Sequence, residues 1–159
     1  MSASSILSYR VAARPRFSRA AGVSFAVLLA IASQQTLAAC NLNVQGVIFG
    51  SYDVFNAQSV ESTGNVAVTC DVSTPYSIAL TPGSGNFASR TLTSGANTLA
   101  YNLYADPARS SVWGDGTAGT VTVSGSATSA NHTVYGRIPA GQNVFAGSYS
   151  DLITVTLTF

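Results

Sequence analysis

From Cys40 onward the apolar residues of this chain recur at every second position and nowhere at the three-to-four spacing of a helix. Val66, Val68 and Cys70 alternate with polar neighbours, as do Tyr76, Ile78 and Leu80, and then Leu99, Tyr101 and Leu103. That period excludes a helical bundle and predicts half-buried strands over 42–44, 47–52, 65–70, 76–80, 98–104, 111–113, 120–123, 132–137 and 152–159. Glycine, serine, proline and asparagine fill the gaps, as in 81–85 (TPGSG), 114–119 (GDGTAG) and 124–130 (SGSATSA), which read as loops. Asp115-Gly116 suits a hairpin turn between 112–113 and 121–123. Many short strands with no intervening helix predict an all-β, antiparallel sandwich or barrel.

The last segment carries the strictest alternation. Ile153, Val155, Leu157 and Phe159 fall on one face, and Leu152, Thr154, Thr156 and Thr158 on the other. A strand this apolar at the end of the sequence is expected to be tied down on both edges, because an open edge exposes unpaired amides and frayed termini lose order. What pairs with its second edge is the functional question.

The segment before Cys40 obeys other rules. Arg10, Arg14, Arg16 and Arg19 precede thirteen uncharged residues, 20–32 (AAGVSFAVLLAIA), followed by small residues. This is the pattern of a secretory signal over 1–32, with cleavage sites also after Ala38 or Ala39. The run falls short of the about 20 residues that span a bilayer as a helix. Residues 33–39 (SQQTLAA) would remain as a short arm, and 40–159 as one domain. Export removes four arginines and leaves Arg90, Arg109 and Arg137 against six carboxylates, a net charge of −3 with no lysine. That balance argues against a nucleic-acid partner, whose phosphates demand cations.

Two cysteines, Cys40 and Cys70, in an exported chain predict a disulfide, worth roughly 3–4 kcal/mol in the chain-entropy account. The rival is lipidation of Cys40, since LAAC (37–40) also fits the pattern before a lipid-bearing cysteine.

Chemistry is sparse. His132 is the single histidine and is expected as an exposed imidazole at a strand start. Two cysteines 30 apart do not form a zinc set. No G-x-S-x-G elbow and no phosphate-binding lysine occur. Asp115 alone cannot gather the several oxygens that calcium requires. The expectation is therefore no enzyme, no metal and no cofactor. Trp113, Tyr101 and Tyr104 are candidates for stacking on a sugar, with burial in the core as their ordinary alternative.

Several stretches together resemble the spore coat protein U domain, the family that supplies pilin-like subunits of archaic chaperone–usher pili. They are 46–52 (GVIFGSY), 63–70 (TGNVAVTC), 101–109 (YNLYADPAR), 112–116 (VWGDG), 134–142 (VYGRIPAGQ) and 146–151 (AGSYSD), in that order. The resemblance implies an incomplete immunoglobulin-like sandwich lacking its last strand. It implies a groove beside the terminal strand, floored by Ile153, Val155, Leu157 and Phe159, that takes a strand from a periplasmic chaperone and then from a neighbouring subunit. An outer-membrane usher, a cell-surface fibre and a role in adhesion or biofilm formation follow from the same likeness. Shaft subunits of such pili carry a longer donor arm with several apolar positions. Here 33–39 extends at most about 25 Å and Leu37 is its one large apolar residue, so a tip or terminal place is expected. The alternative is a freestanding secreted or periplasmic sandwich that binds glycans or surfaces.

Overall fold

The computed structural model describes residues 2–4 and 38–159. Of the expected signal segment 1–32, only 2–4 are described, and of the arm 33–39 only Ala38 and Ala39; the remainder of both lies outside the described residues. Eight strands occur, with no helix among the described residues: β1 Ser2–Ser4, β2 Cys40–Gln45, β3 Ile48–Ser51, β4 Val60–Leu80, β5 Arg90–Ser94, β6 Asn97–Tyr104, β7 Val123–Ile138 and β8 Val155–Thr158. The all-β, antiparallel expectation holds.

β4 is the spine. One edge pairs with β7 from Val60↔Ile138 to Ile78↔Val123, with an irregularity between Thr69 and Thr74. The other edge is divided, taking β2 along 65–70 and β8 along 77–80. The order β2-β4-β7-β6-β5 continues to the hairpin of β5 and β6, and β1 pairs with β3 apart from this sheet. The sheet curls until its ends meet. Thr93 of β5 exchanges both backbone hydrogen bonds with Ser150 at 2.8 and 3.0 Å, and Trp113 Nε1 donates to Ile78 O at 3.0 Å.

One core fills the curl. Val66, Val68, Ile78, Leu80, Leu99, Leu103 and Val134 are buried on their strands' inner faces, as the alternation requires. Trp113 and Tyr101 lie in this core and are not stacking residues of any surface. Gly136 has no room for a side chain, since a Cβ there would lie 2.6 Å from the Phe49 ring. Phe49 in turn meets Tyr101 edge to face at 5.8 Å.

Four local expectations are corrected. The segments 65–70 and 76–80 are one strand, because β7 pairs across both. The expected loop 124–130 belongs to β7. Its small residues reflect the partner opposite, as Gly125 leaves room for the ring of Tyr76, so tertiary pairing overrides turn composition. Residues 112–121 form no hairpin: Val112 bridges Tyr104 and Trp113 bridges Val121 in parallel, around a loop in which Thr120 donates to the Thr117 carbonyl and Thr117 donates to Asp115. Arg90–Ser94, unmarked in the sequence by apolar alternation, is strand β5 through its pairing with β6.

Cys40 and Cys70 are opposite one another on β2 and β4 and are joined as a disulfide, so Cys40 is not free to carry a lipid in this state. Replacing both by serine should lower the unfolding free energy by roughly 3–4 kcal/mol. Urea unfolding of the oxidised, reduced and Cys-free proteins checks this, and coincident midpoints would refute it.

Candidate functional site

The terminal strand is where the curled sheet stops short. The segment 149–158 begins on one side of the fold, with Ser150 against Thr93, and crosses to the other, with Thr154 against Thr81 and β8 against β4. Because it turns this corner, regular strand geometry is confined to Val155–Thr158 and does not cover the expected 152–159. Thr81 N donates to Thr154 O at 3.1 Å, and Thr154 N donates to Thr81 Oγ1 at 2.9 Å. This fixes the hydrogen-bonding phase. Thr154, Thr156 and Thr158 direct their main-chain groups to β4, and by the alternation of an antiparallel ladder Val155 and Leu157 direct theirs to the opposite edge. Among the described residues no strand pairs with that edge.

Side chains on this strand follow the sequence reading. Ile153, Val155 and Leu157 are buried and Phe159 is half-buried against the same core, while Leu152 is exposed. One strand thus joins an apolar inner face to an edge that has no strand partner among the described residues.

A polar lock holds it in place. Asp151, buried immediately before the corner, accepts from Ser84 N at 2.9 Å, Ser84 Oγ at 2.8 Å and Tyr101 Oη at 2.7 Å. Burial, then the hydrogen bond to Asp151, pushes the Tyr101 hydroxyl far above its ordinary range, so it stays a donor. Gly83 has φ +65° and a Cβ on it would overlap the Asp151 carboxylate, so this turn admits glycine alone. Arg90, fully buried, donates to Asn102 Oδ1 at 2.6 Å, Trp113 O at 2.7 Å and Thr81 O at 3.1 Å. Burial lowers its pKa, opposed by Tyr101 and Asp151 nearby. Thr81 is therefore gripped by Arg90 through its carbonyl and grips Thr154 through its amide and hydroxyl.

This lock was not read from the sequence. Its available signal was scarcity, since a lone arginine and a lone aspartate among uncharged strands are either exposed or paired for a purpose. The candidate chemical residues do not come together. His132 is half-buried in the middle of β7 and not an exposed strand-start imidazole, because residues 123–131 extend the strand before it. Its Nε2 lies 2.9 Å from Tyr76 Oη, and burial lowers its pKa. Asp115 is occupied by the backbone and hydroxyl of Thr117 at 2.9 and 2.6 Å. Among the described residues no group of three or more His, Cys, Asp or Glu converges as a metal would need.

Comparison with known proteins gives a consistent result. The family model for the Spore Coat Protein U domain matches residues 25–156. Protein U of Myxococcus xanthus is 34% identical over 125 residues, covering 70% of this chain and 70% of that protein. Among solved structures, this chain is similar to a chain of the chaperone–tip adhesion subunit pre-assembly complex from archaic chaperone–usher Csu pili of Acinetobacter baumannii. The TM-score is 0.52 at 22% identity, over 77% of this chain and 40% of that one. This chain thus spans about two fifths of that neighbour's length, and the likeness is one of fold.

Two measurements probe the lock and its surroundings. Arg90→Leu leaves Asn102 and two buried carbonyls without a donor and should cost roughly 3 kcal/mol or more in denaturant unfolding; a loss below about 1 kcal/mol would show that the guanidinium does not hold the corner. For His132 the folded pKa lies below the unfolded one, so the unfolded state binds more protons as pH falls past about 6.5. Thermal stability should therefore decline from pH 7 to 5, and His132→Gln should reduce that slope. An unchanged slope in the variant would assign it to other groups.

Proposed function

Because the chain belongs to the Spore Coat Protein U domain family, we propose that it is a non-enzymatic structural subunit of a secreted chaperone–usher fibre that completes its fold with a strand from another chain. The observation that carries this reading is the state of β8. Its inner side chains are buried, yet the edge to which Val155 and Leu157 direct their amides and carbonyls has no partner among the described residues. Strand addition satisfies such an edge with main-chain hydrogen bonds, while alternate side chains of the incoming strand enter the core beside Ile153, Val155, Leu157 and Phe159. The likeness in fold to a chaperone-bound pilus subunit complex supports the same assignment.

The partners follow in sequence. A periplasmic chaperone supplies the first strand, an outer-membrane usher passes the subunit outward, and a neighbouring subunit supplies the permanent strand. The arm at 33–39 offers Leu37 as one large apolar anchor, which supports acceptance of a strand more than donation and hence a tip or terminal position. Export through a cleaved signal in 1–32 separates Ser2–Ser4 from the mature domain, so the β1 and β3 pairing belongs to the precursor. Adhesion or biofilm formation is the role that such a fibre would serve.

Periplasmic expression with and without the cognate chaperone tests this reading. Soluble yield should depend strongly on the chaperone, and the protein purified without it should aggregate. Equal yields of a cooperatively melting monomer in both cases would overturn donor-strand completion.

A further inference from the structure

The outer face of the sheet built by β2, β4, β7 and β6 is lined by uncharged polar and aromatic side chains over three successive rows. In an antiparallel ladder, directly opposed residues share a face. The register therefore lays Gln45, Asn65 and Thr133 in one row, and Asn43, Ala67 and Asn131 in the next. On the other side of the first row comes Thr63 with Tyr135 and Tyr104. The inner positions between these residues, Val66, Val68 and Val134, are buried, which confirms that the rows point outward. Rows of this kind repeat at about 4.8 Å across strands and about 6.8 Å along them.

The face has a marked charge and polarity pattern. None of its three rows contains an ionised group. The nearest charges gather at one end, where Glu61 is shared by Arg109 at 2.9 Å and Arg137 at 2.8 Å. None of the exposed large hydrophobic residues, Ile48, Phe55, Val72, Val121, Phe145 and Leu152, is in the rows. What the rows present is amide, hydroxyl and phenol. Asn65 Nδ2 donates to Asn131 Oδ1 at 3.2 Å, which orients both amides and leaves the Asn131 N–H groups and the Asn65 carbonyl for a ligand. Tyr135 and Tyr104 are half-buried neighbours, and the Arg109 guanidinium is 5.9 Å from the Tyr135 ring centroid, which holds the ring in place.

We propose that this face binds a neutral glycan. Sugar rings offer an apolar C–H face that stacks on an aromatic ring and a rim of hydroxyls that both donate to and accept from amides. Tyr135 with Tyr104 supplies the first, and Asn65, Asn131, Thr63 and Thr133 the second. A polyanion finds too few cations here, because one carboxylate already occupies both guanidiniums. A protein partner finds no apolar centre of the kind that anchors interfaces. Of the aromatic residues that the sequence offered for stacking, Tyr104 alone is half-exposed, and Tyr135 takes the place of buried Trp113 and Tyr101. The proposal does not rest on donor-strand completion, since the face is backed by the core and lies away from the open edge of β8.

The test is an array of neutral oligosaccharides with heparin as the polyanion control, probed with the exported protein in whichever form, free or chaperone-bound, is soluble. At least one neutral glycan should be retained. Tyr135→Ala should weaken it about tenfold or more, and Tyr135→Phe should preserve it. Asn131→Ala, at an exposed position, should weaken binding with the melting temperature unchanged, which separates loss of ligand from loss of fold. No retention of any neutral glycan, retention of heparin alone, or binding indifferent to Tyr135→Ala and Asn131→Ala would each overturn the proposal. So would self-association through the face without glycan binding. None of these results bears on chaperone dependence of the yield, so the two readings fail separately.

Discussion

The divided edge of β4 is the constraint on which the remainder of the fold rests. A strand has two edges, and β7 pairs along one of them over 60–69 and 74–78. The other is shared end to end by the first strand of the domain and the last, β2 along 65–70 and β8 along 77–80. Each of these short strands has β4 on one side, so their second edges decide how complete the sheet is. Closure elsewhere is achieved by the crossing of 149–154 and by Trp113, whose indole reaches Ile78 from another part of the curl. Paired amides cost little to keep and much to leave dry, and among the described residues neither β2 nor β8 has a strand along its second edge.

The polar lock explains how so short a strand is kept in register. β8 contributes only four regular residues, and hydrogen bonds to one neighbour over that length would hold it weakly. Arg90 and Asp151 place rigid, directional contacts on either side of the corner that leads into it. A guanidinium with acceptors from three different segments fixes their spacing in a way that dispersion contacts alone do not. Burying it is costly, and the gain is a single geometry for Thr81, the residue to which Thr154 is bonded. In a chain with so few charges, the two that are buried near each other are both spent on this corner.

Strand existence and inward faces were legible in the sequence because a two-residue period survives wherever one face is buried, as in Val66-Val68-Cys70 and Tyr76-Ile78-Leu80. The inward face of Ile153, Val155 and Leu157 was legible for the same reason. The hidden parts depended on partners distant in sequence. Nothing local marks 124–130 as strand, since Gly125 is there for the ring of Tyr76 and that ring is nearly fifty residues away. The hairpin expected at Asp115-Gly116 failed because its flanks bridge in parallel and not in opposition. Arg90 escaped notice because its acceptors are mostly carbonyls, which every residue carries and no sequence displays.

The bridge between Cys40 and Cys70 has a mechanical consequence. Cys40 opens β2, and Ala39 exchanges main-chain hydrogen bonds with the Asp71 side chain and amide just beyond Cys70. Tension applied to the chain ahead of Cys40 meets the two Ala39–Asp71 hydrogen bonds and then the covalent bridge, so β2 cannot be peeled from β4 one hydrogen bond at a time. The force passes through sulfur into β4, which β7 holds on both sides of Cys70, over 60–69 and 74–78, and which would have to be sheared out against both stretches. The disulfide therefore couples the N-terminal end of the domain to its longest strand.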